Sequence, residues 1–360
     1  MKRVLVIQLR QLGDILLTTP ILRSLKNQGA HVTFLCHAMG YKYFSDQKTL
    51  PFDELLTYSD QDNLRTQYSL IKTLKQAQYD IVIDCMGNPK SAFFSLCTRS
   101  PQRISWETRR RWAFHTVVKR QTGQYIVEEK NTLLAAAGFQ TSQDFSLFQP
   151  FIKSSAVLNH LLKHLDQKSE QPRILMSPAS RKKERRWPEE QFVALAQKLQ
   201  KEWNAHILWA WGPGEYEYAL RLYRNTPKTT LLPKMNIQEL TSLLAHCDFF
   251  MGPSNGPSHL AIAAKTPSFQ LHGPTHAIAW NPPNKPEHQA LQVGPIAKDR
   301  ELLSDLTADT VWDSCQAMKK EIDKKIAERN QKTSSLQENE NSASFTQRPS
   351  PSLENISRAE

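Results

Sequence analysis

Short apolar runs alternate with longer segments of helical periodicity along the first half of the chain. The runs predict strands at 4–9, 32–36, 55–58 and 81–85, and the segments between them predict helices at 14–27, 64–77 and 91–97. A further helix is predicted at 126–138, with Gly138 as its C-cap. Strands that alternate with helices in this way are typical of a parallel α/β sheet.

The same pattern restarts after a polar, helical segment at 148–171. Strands are predicted at 173–176, 206–209, 229–232, 248–251 and 268–271, and helices at 188–203, 218–223, 237–246 and 258–264. A last helix is predicted at 306–326, opened by Thr307, before a tail rich in Ser, Gln, Asn and Glu. We therefore predict a first α/β half at 1–150, a linker at 151–171, a second α/β half at 172–304, a helix at 305–326 and a disordered tail at 327–360. A ligand is expected between the halves, at the carboxyl ends of the strands.

Length and composition agree with two globular domains. The chain has 360 residues, 39% of them hydrophobic, including 8 Trp and 15 Phe. No apolar run approaches the roughly 20 residues that span a bilayer, and the run after Met1-Lys2-Arg3 is too short for a secretory signal. We expect a cytoplasmic protein. Five scattered cysteines indicate neither a disulfide framework nor a zinc site.

The formal net charge of +11 requires an explanation. Two local clusters carry much of it, one at Arg109-Arg110-Arg111 and one at 181–186. Basic surfaces bind nucleic acid, anionic lipid or phosphorylated ligands, so the charge alone does not choose among these partners. Nucleic acid is disfavoured because the chain has neither an aromatic-interleaved basic stripe nor a known reading module.

Asp14 follows Gly13 at the point where the first predicted strand gives way to a helix. An acid at this position is commonly a helix cap, whose oxygens accept the free N–H groups of the first turn. The alternative is a catalytic carboxylate at the carboxyl end of a parallel strand. The pattern by itself favours the cap.

Three turns of the second half carry candidate binding groups. Ser177 to Ser180 follows a strand and precedes a basic stretch that ends at Arg185 and Arg186, where a helix opens with Pro188. A second turn ends in Glu215, an acceptor suited to ribose hydroxyls, beside two tryptophans. The third turn precedes a helix of small residues, and the N–H groups of Asn255, Gly256 and Ser258 are expected to face an anion such as a diphosphate.

One further motif is interpreted as a structural turn, and a second motif is absent from the position where it would be expected. Asp60-Gln61-Asp62 has the form of a metal-binding motif in some sugar-nucleotide enzymes, but the surrounding Ser and Asn favour a turn before a helix. The dinucleotide fingerprint Gly-x-Gly-x-x-Gly is missing after the first strand.

Five sequence motifs occur in this chain in the same order as in one known protein family, which makes the resemblance specific. They are Gly13-Asp14-Ile15-Leu16-Leu17-Thr18-Thr19-Pro20, Arg185-Arg186-Trp187-Pro188, Gly212-Pro213-Gly214-Glu215, Gly256-Pro257-Ser258-His259-Leu260-Ala261, and Gly273-Pro274-Thr275 with Trp280-Asn281-Pro282. Together they cover roughly 2–312, and the sequence resembles glycosyltransferase family 9, the lipopolysaccharide heptosyltransferases. The resemblance implies a GT-B fold, with two Rossmann-like domains that face a central cleft. It also implies that the acceptor binds to the half at 1–150 and the nucleotide sugar to the half at 172–304.

The resemblance also implies the chemistry. Family members are inverting enzymes that need no metal and no cofactor, and they move heptose from ADP-heptose to a lipid-linked oligosaccharide acceptor. Asp14 matches the presumed base and Arg185 the residue that faces the diphosphate. With the turns described above, the predicted donor-binding residues are Ser180, Arg185, Glu215, Ser254, Asn255, Gly256, Ser258 and His259. The predicted acceptor-binding residues are Arg10, Gly13, Arg109 and Arg111.

One departure from the family pattern leaves alternatives open. Ser254-Asn255-Gly256 stands where many relatives carry Asp-Ser-Gly or Asp-Thr-Gly, so a carboxylate is missing from the nucleotide loop. A transferase with a different donor or acceptor, or a sugar-nucleotide-binding protein without turnover, is therefore an alternative.

Arg109-Arg110-Arg111-Trp112-Ala113-Phe114 places three cations beside two aromatic side chains in the predicted acceptor half. Such a stretch suits peripheral contact with an anionic membrane, with Trp112 and Phe114 toward the acyl boundary. It equally suits the phosphates of the acceptor's inner core. The location expected from the first interpretation is the inner face of the inner membrane.

Overall fold

The computed structural model describes residues 1–150, 155–166, 170–180, 185–273, 275–293 and 303–331. Its first half is a six-stranded, all-parallel sheet with the strand order β3-β2-β1-β4-β5-β6. The strands are β1 (Arg3–Gln8), β2 (His31–His37), β3 (Glu54–Tyr58), β4 (Ile81–Asp84), β5 (Gln102–Trp106) and β6 (Thr116–Val118). The helices are α1 (Leu12–Leu16), α2 (Thr19–Asn27), α3 (Ala38–Phe44), α4 (Leu64–Gln76), α5 (Pro89–Cys97) and α6 (Ile126–Ala136).

The second half repeats this plan, with the strand order β12-β11-β10-β7-β8-β9 and parallel pairing throughout. The strands are β7 (Arg173–Met176), β8 (His206–Trp209), β9 (Thr230–Leu231), β10 (Phe249–Pro253), β11 (Ser268–His272) and β12 (His288–Gln292). The helices are α7 (Ala156–Asp166), which precedes the sheet, α8 (Glu189–Trp203), α9 (Tyr216–Asn225), α10 (Ile237–Ala245), α11 (Gly256–Ala263), α12 (Ala277–Trp280) and α13 (Ala308–Cys315). The predicted architecture of two consecutive α/β halves is confirmed.

Strand order reverses once in each sheet, between β1 and β4 and between β7 and β10. Loops that leave neighbouring strands in opposite directions open a crevice at such a switch point, and ligands of open α/β sheets bind there. The segment that carries Asp14, which includes the short helix α1, follows β1. The loops that carry Ser177 and Ser254 follow β7 and β10. All three segments are therefore at the switch points of their sheets.

The alternation of side chains along the strands divides the core into layers. Val4 and Val6 of β1 point to a core that continues into the second half through Leu175, Phe250 and Leu260. Leu5 and Ile7 point to the opposite face of the same sheet, where they pack with residues of β2, α4 and α5. The two halves thus share one buried apolar cluster, and this packing fixes their facing surfaces.

Several elements differ from the sequence prediction. The helix predicted at 14–27 is two helices, α1 and α2, because the chain turns at Leu17 and Thr18 before the second one begins at Thr19, with Pro20 in its first turn. Among the described residues, five short helices and strands were missed: α3, α12, β5, β6 and β12.

The end of the chain needs one correction. Thr307 is the N-cap of α13, as predicted, and its hydroxyl accepts a hydrogen bond from the N–H of Thr310. A 3₁₀ turn, Gln316–Met318, then leads into a helix that runs to residue 331. The tail predicted to be disordered from 327 is therefore helical over 327–331, and 332–360 lie outside the described residues. Among the residues described, no helix is both long and apolar enough to cross a bilayer.

Candidate active site

Asp14 lies inside the first turn of α1 and does not cap it. The N-cap is Gln11, whose side chain makes no capping hydrogen bond and whose φ of +28° is unusual for a residue other than glycine. The capping interpretation of Asp14 is thus wrong. Within the described chain, its half-buried carboxylate has no hydrogen-bond partner, so both oxygens are available to a ligand.

Four basic side chains surround this carboxylate. Burial raises the pKa of Asp14 above its ordinary value of 3.8, and the nearby positive charges of Lys130, Arg10, Arg120 and Arg185 oppose that rise. Arg10 follows β1, Arg120 follows β6 and Lys130 belongs to α6. Arg185 comes from the second half, so Asp14 is influenced by charges from both sides of the cleft.

Lys130 is the functional candidate that sequence reasoning missed. It is only 2% exposed, and its Nζ donates hydrogen bonds to the carbonyl oxygen of Asp14 (3.2 Å) and to Oγ1 of Thr18 (2.7 Å). A signal existed, because Val127, Lys130 and Leu134 share the spacing of a helix's buried face. A lysine on such a face needs a reason, since burying a charge without partners is costly.

Arg120 was also missed. Its guanidinium lies 4.9 Å from the ring centroid of Trp106, and its Nε is 3.5 Å from Oε1 of Glu129. The side chain is about half exposed, at 51%. The aromatic ring and the carboxylate hold this cation in the first half of the molecule, near Asp14.

In the second half, Asn255 connects two loops at the switch point. Its Nδ2 donates to the carbonyl oxygen of Ala179 (2.9 Å) and approaches Oγ of Ser177 (3.3 Å). Gly252 makes a similarly close approach, because a Cβ at that position would be 2.6 Å from the carbonyl oxygen of Ser177. The 177–180 loop and the 252–258 loop are therefore in contact at the switch point.

The N-terminus of α11 offers fewer free donors than predicted. Asn255 and Ser258 form a capping box, in which the N–H of Ser258 donates to Oδ1 of Asn255 (3.1 Å) and the N–H of Asn255 donates to Oγ of Ser258 (3.3 Å). The expectation that three N–H groups face an anion is wrong for these two. The N–H of Gly256 is the one of the three without a partner among the described residues.

Arg185 contributes a buried, unpaired donor. Its Nε is inaccessible to solvent and has no hydrogen-bond partner within the described part of the chain. Burial lowers the pKa of His272 at the end of β11 to about 4, with a smaller effect of the Arg185 charge. Arg185 therefore lies near both Asp14 and the β11 edge, where its positive charge favours an anionic ligand.

The neighbours of Arg185 fix the loop around it. Nε of Arg186 donates to the carbonyl oxygen of buried Ser180 (2.6 Å), and Nε1 of Trp187 donates to the carbonyl oxygen of Leu306 (2.8 Å). Ser180 thus supports the loop through its main chain. The remaining cations of the basic cluster, at 181–184, lie outside the described residues.

Glu215 closes its own turn. Its Oε2 accepts a hydrogen bond from the N–H of Gly212 (2.8 Å), just before α9 begins. Trp211 is fixed beside it by a hydrogen bond from its Nε1 to the carbonyl oxygen of Leu232 (2.7 Å). The other carboxylate oxygen of Glu215, Oε1, has no hydrogen bond among the described residues and can accept one from a ligand.

His259 lies at the contact between the halves. It is 4% exposed, its ring is 6.1 Å from that of Trp280, and a Cβ on Gly13 would be 2.6 Å from its Cδ2. Burial lowers the pKa of His259 to about 3, with smaller effects of His272 and Lys130, so the ring is neutral at pH 7.

Arg109 and Arg111 are not brought to this site by any described contact. Both are exposed beyond the end of β5, and Trp112 between α5 and β6 is 71% exposed. Phe114 does not share that exposure, because it is 8% exposed and packs with Ala92 and Ala113. The expectation that Phe114 faces a membrane is therefore wrong.

Asp60 and Asp62 form the predicted turn. Asp62 accepts a hydrogen bond from the N–H of Ser59 (2.7 Å), Asp60 accepts from the hydroxyl of Tyr58 (2.9 Å), and α4 starts after Asn63. The turn interpretation is confirmed. Among the described residues, no group of three or more His, Cys, Asp and Glu side chains is arranged to hold a metal ion.

Comparison with known proteins gives consistent results. A family model described as glycosyltransferase family 9 (heptosyltransferase) matches residues 67–307, more than half of the chain. Lipopolysaccharide heptosyltransferase 3 of Escherichia coli (strain K12) is 26% identical over 296 residues, which cover 76% of this chain and 83% of that protein.

Solved structures resemble the whole described fold. A glycosyl transferase of family 9 from Veillonella parvula DSM 2008 superposes with a TM-score of 0.72 at 18% identity, covering 88% of this chain and 97% of the other. The E. coli heptosyltransferase WaaC with ADP superposes with a TM-score of 0.66 at 22% identity, covering 89% and 99%. These similarities, with the two parallel sheets, show that the fold is GT-B and confirm the predicted fold class.

Proposed function

Because the chain belongs to glycosyltransferase family 9, we propose that it transfers heptose from ADP-heptose to a sugar of the lipopolysaccharide inner core. The name of its E. coli relative, lipopolysaccharide heptosyltransferase 3, supports the acceptor class. The E. coli structure with ADP supports the nucleotide.

In the proposed mechanism, Asp14 is the general base. It removes the proton from the acceptor hydroxyl as the hydroxyl oxygen attacks the anomeric carbon, and the bond from that carbon to the nucleotide diphosphate breaks with inversion. Asp14 suits this role because both of its carboxylate oxygens lack a hydrogen-bond partner among the described residues, while four cations limit the rise of its pKa.

The departing diphosphate develops negative charge that the second half can stabilise. Arg185 supplies a cation with a buried, unpaired Nε, and α11 supplies the N–H of Gly256 at its positive end. A guanidinium and an oriented N–H can neutralise this charge without a divalent ion. The proposed mechanism is therefore metal-independent.

The observation that carries the proposal is the close approach of the Asp14 segment to the second half, where a Cβ on Gly13 would be 2.6 Å from Cδ2 of His259. Arg185 of the second half is also near enough for its charge to oppose, as the smallest of the effects, the rise in the pKa of Asp14. A base and a diphosphate-binding cation on facing sheets are what transfer between an acceptor and a nucleotide sugar requires.

Ser254 favours one alternative. It follows β10 where many relatives of the family carry Asp, and its N–H is used by the carbonyl oxygen of Leu271 (3.1 Å). A hydroxyl is a weaker acceptor than a carboxylate, so a family-9 transferase with a different donor or acceptor, or a nucleotide-sugar-binding protein without turnover, is the second candidate.

The two halves are proposed to bind different substrates. We assign the acceptor to 1–150 and the donor to 172–304, with 151–171 between them. The helix after Thr307 supports the donor half, because the N–H of Ala308 donates to Oε1 of Gln191 (2.6 Å). Arg109, Arg111 and exposed Trp112 are proposed to contact either an anionic membrane or the phosphates of the acceptor. We propose a cytoplasmic enzyme, and membrane contact would bring it to the inner face of the inner membrane.

The test is a transfer assay combined with a donor panel. Thermal shifts are measured with ADP-heptose and with ADP-, UDP- and GDP-hexoses, and transfer to heptose-deficient lipopolysaccharide is followed by mass spectrometry. The proposal predicts that ADP-heptose raises the unfolding temperature of the protein and that the acceptor gains the mass of one heptose. The transfer should be unchanged in EDTA. Protection by another nucleotide sugar would support the first alternative, and protection without transfer to any core acceptor would support the second.

A further inference from the structure

We propose that Lys130 is a positioning residue, which fixes the turn that carries Asp14 and keeps a positive charge beside the Asp14 carboxylate. The inference rests on the proposed function, because it concerns the base of that reaction.

Lys130 completes the end of a helix of only five residues. The carbonyl oxygen of Asp14 receives the Thr18 hydroxyl (2.7 Å) and the Lys130 ammonium (3.2 Å), and the ammonium also donates to the Thr18 hydroxyl (2.7 Å). Main-chain carbonyls at a helix C-terminus carry partial negative charge, so a cation there is stabilising. These three hydrogen bonds connect α6 to the residue that we propose as the base.

The position of the ammonium keeps the carboxylate free. Among the described residues, Lys130 makes no ion pair with the oxygens of Asp14 and is bound to the main chain of the same residue. A direct ion pair would occupy the oxygen that has to receive the acceptor proton. A cation held at the main chain favours ionisation of the base without competing for it.

Lys130 differs from the other cations near Asp14 in the size of its effect and in its burial. Asp14 is faced by Arg10, Arg120 and Arg185 in addition to Lys130, and of these four charges Lys130 has the largest effect. Around Lys130 itself lie Cys85, Asp14, Glu129, Arg120 and the neutral ring of His259. Burial lowers the pKa of Lys130 and the acids oppose that change. Arg10 is exposed and Arg120 half exposed, so water screens their charges more than that of Lys130.

The test separates charge from packing. Lys130→Met removes the charge and both hydrogen bonds, Lys130→Gln keeps a donor without the charge, and Lys130→Arg keeps the charge. Lys72→Met, on the exposed surface of α4, is the matched control. For each variant, kcat and donor KM are measured against pH, with ADP affinity and thermal unfolding as checks of folding.

We expect the acid limb of the kcat profile to move to higher pH by ~1 unit in the Met and Gln variants, because an opposite charge nearby changes a carboxyl pKa by that order. The plateau should fall ~10-fold in the Met variant and less in the Gln variant, since loss of the hydrogen bonds misplaces the base. ADP affinity should stay unchanged, the Arg variant should restore the limb, and Lys72→Met should behave like the parent.

An acid limb that stays in place in folded Lys130→Gln would overturn the inference, even if the plateau falls, because lost packing alone would explain the fall. The proposed function fails separately. Parent-like turnover in Asp14→Asn would show that Asp14 is not the base. A disabled Asp14→Asn variant, together with an unmoved acid limb in Lys130→Gln, would reject only the role of Lys130.

Discussion

Gly13 and His259 lie in contact across the two halves of the molecule, so close that a Cβ on Gly13 would be 2.6 Å from Cδ2 of the histidine. Gly13 is the residue before Asp14, and His259 is in the first half of α11, just past the proposed diphosphate site. The absence of a side chain at Gly13 thus permits the close approach of α1 to α11 that brings the proposed base to the donor side.

Gly13→Ala is expected to push the two helices apart. His259 is 4% exposed and its ring has little room to move, so the added methyl should displace α1 instead. We predict at least a ~10-fold loss of kcat/KM, because small misplacements of a base are costly. Steady-state kinetics measure the loss.

A double-mutant cycle identifies the cause. In a His259→Ala background the added methyl no longer meets the ring, so Gly13→Ala should cost clearly less than in the parent. Equal costs in both backgrounds would show that the methyl acts on something other than His259.

Arg185→Ala should weaken binding of ADP at least ~10-fold, because a charge-assisted hydrogen bond to the diphosphate is lost. Arg185→Lys should recover much of the affinity as a point charge without the planar fork. Calorimetric titration with ADP measures both, and Arg224→Ala on the exposed surface of α9 serves as the control. If Arg185→Ala binds ADP like the parent, the diphosphate is held by other groups.

The sequence predicted the framework of this site well because strands, turns and motif residues are encoded locally. Runs such as 4–9 and 248–251 are apolar enough to be recognised without their neighbours, and the Gly-Asp and Gly-Pro-Ser-His turns follow those runs directly. The edge strand β6 was missed because Thr116–Val118 is short and half-buried.

Contacts between distant segments could not be predicted. Whether Asn255 donates to the carbonyl oxygen of Ala179, or Lys130 to that of Asp14, depends on how the sheets and helices assemble. The alternative that Asp14 caps the helix could not be rejected from the sequence for a related reason. The helix begins two residues earlier than the acid, after Gln11, whose unusual φ leaves no mark in the sequence.

Stability should fall as the pH is lowered below neutrality. Burial lowers the pKa of His259 to about 3 and those of His272 and His288 to about 4, against an ordinary value of 6.5. Between these values the unfolded chain binds protons that the folded chain excludes, so the free energy of unfolding decreases from pH 6.5 downward. At pH 5 each histidine should account for ~1–2 kcal/mol of the loss.

Thermal unfolding between pH 7 and pH 5 measures this dependence. His288→Gln, which removes one buried ring, should make the dependence shallower, whereas His160→Gln on the exposed surface of α7 should leave it unchanged. If His288→Gln left the pH dependence of unfolding unchanged, the loss of stability could not be assigned to this buried histidine.

Membrane contact should depend on the basic residues beside Trp112. Each cation near an anionic surface contributes ~1 kcal/mol, so Arg109→Glu with Arg111→Glu should abolish co-sedimentation with anionic vesicles at moderate salt. Lys201→Glu with Arg224→Glu, in the other half, changes the net charge equally and should have a smaller effect. A parent protein that ignores bare anionic vesicles and sediments only with lipopolysaccharide-bearing ones would instead assign Arg109 and Arg111 to the acceptor.

The most direct test of the account is the turnover of Asp14→Asn with ADP-heptose and a heptose-deficient core acceptor, measured beside its affinity for ADP. The amide cannot accept the acceptor's proton, and no capping bond is lost with the carboxylate. The account predicts a folded variant with parent-like ADP affinity and a kcat lowered by at least ~10²-fold. A kcat close to that of the parent would contradict the assignment of Asp14 as the base.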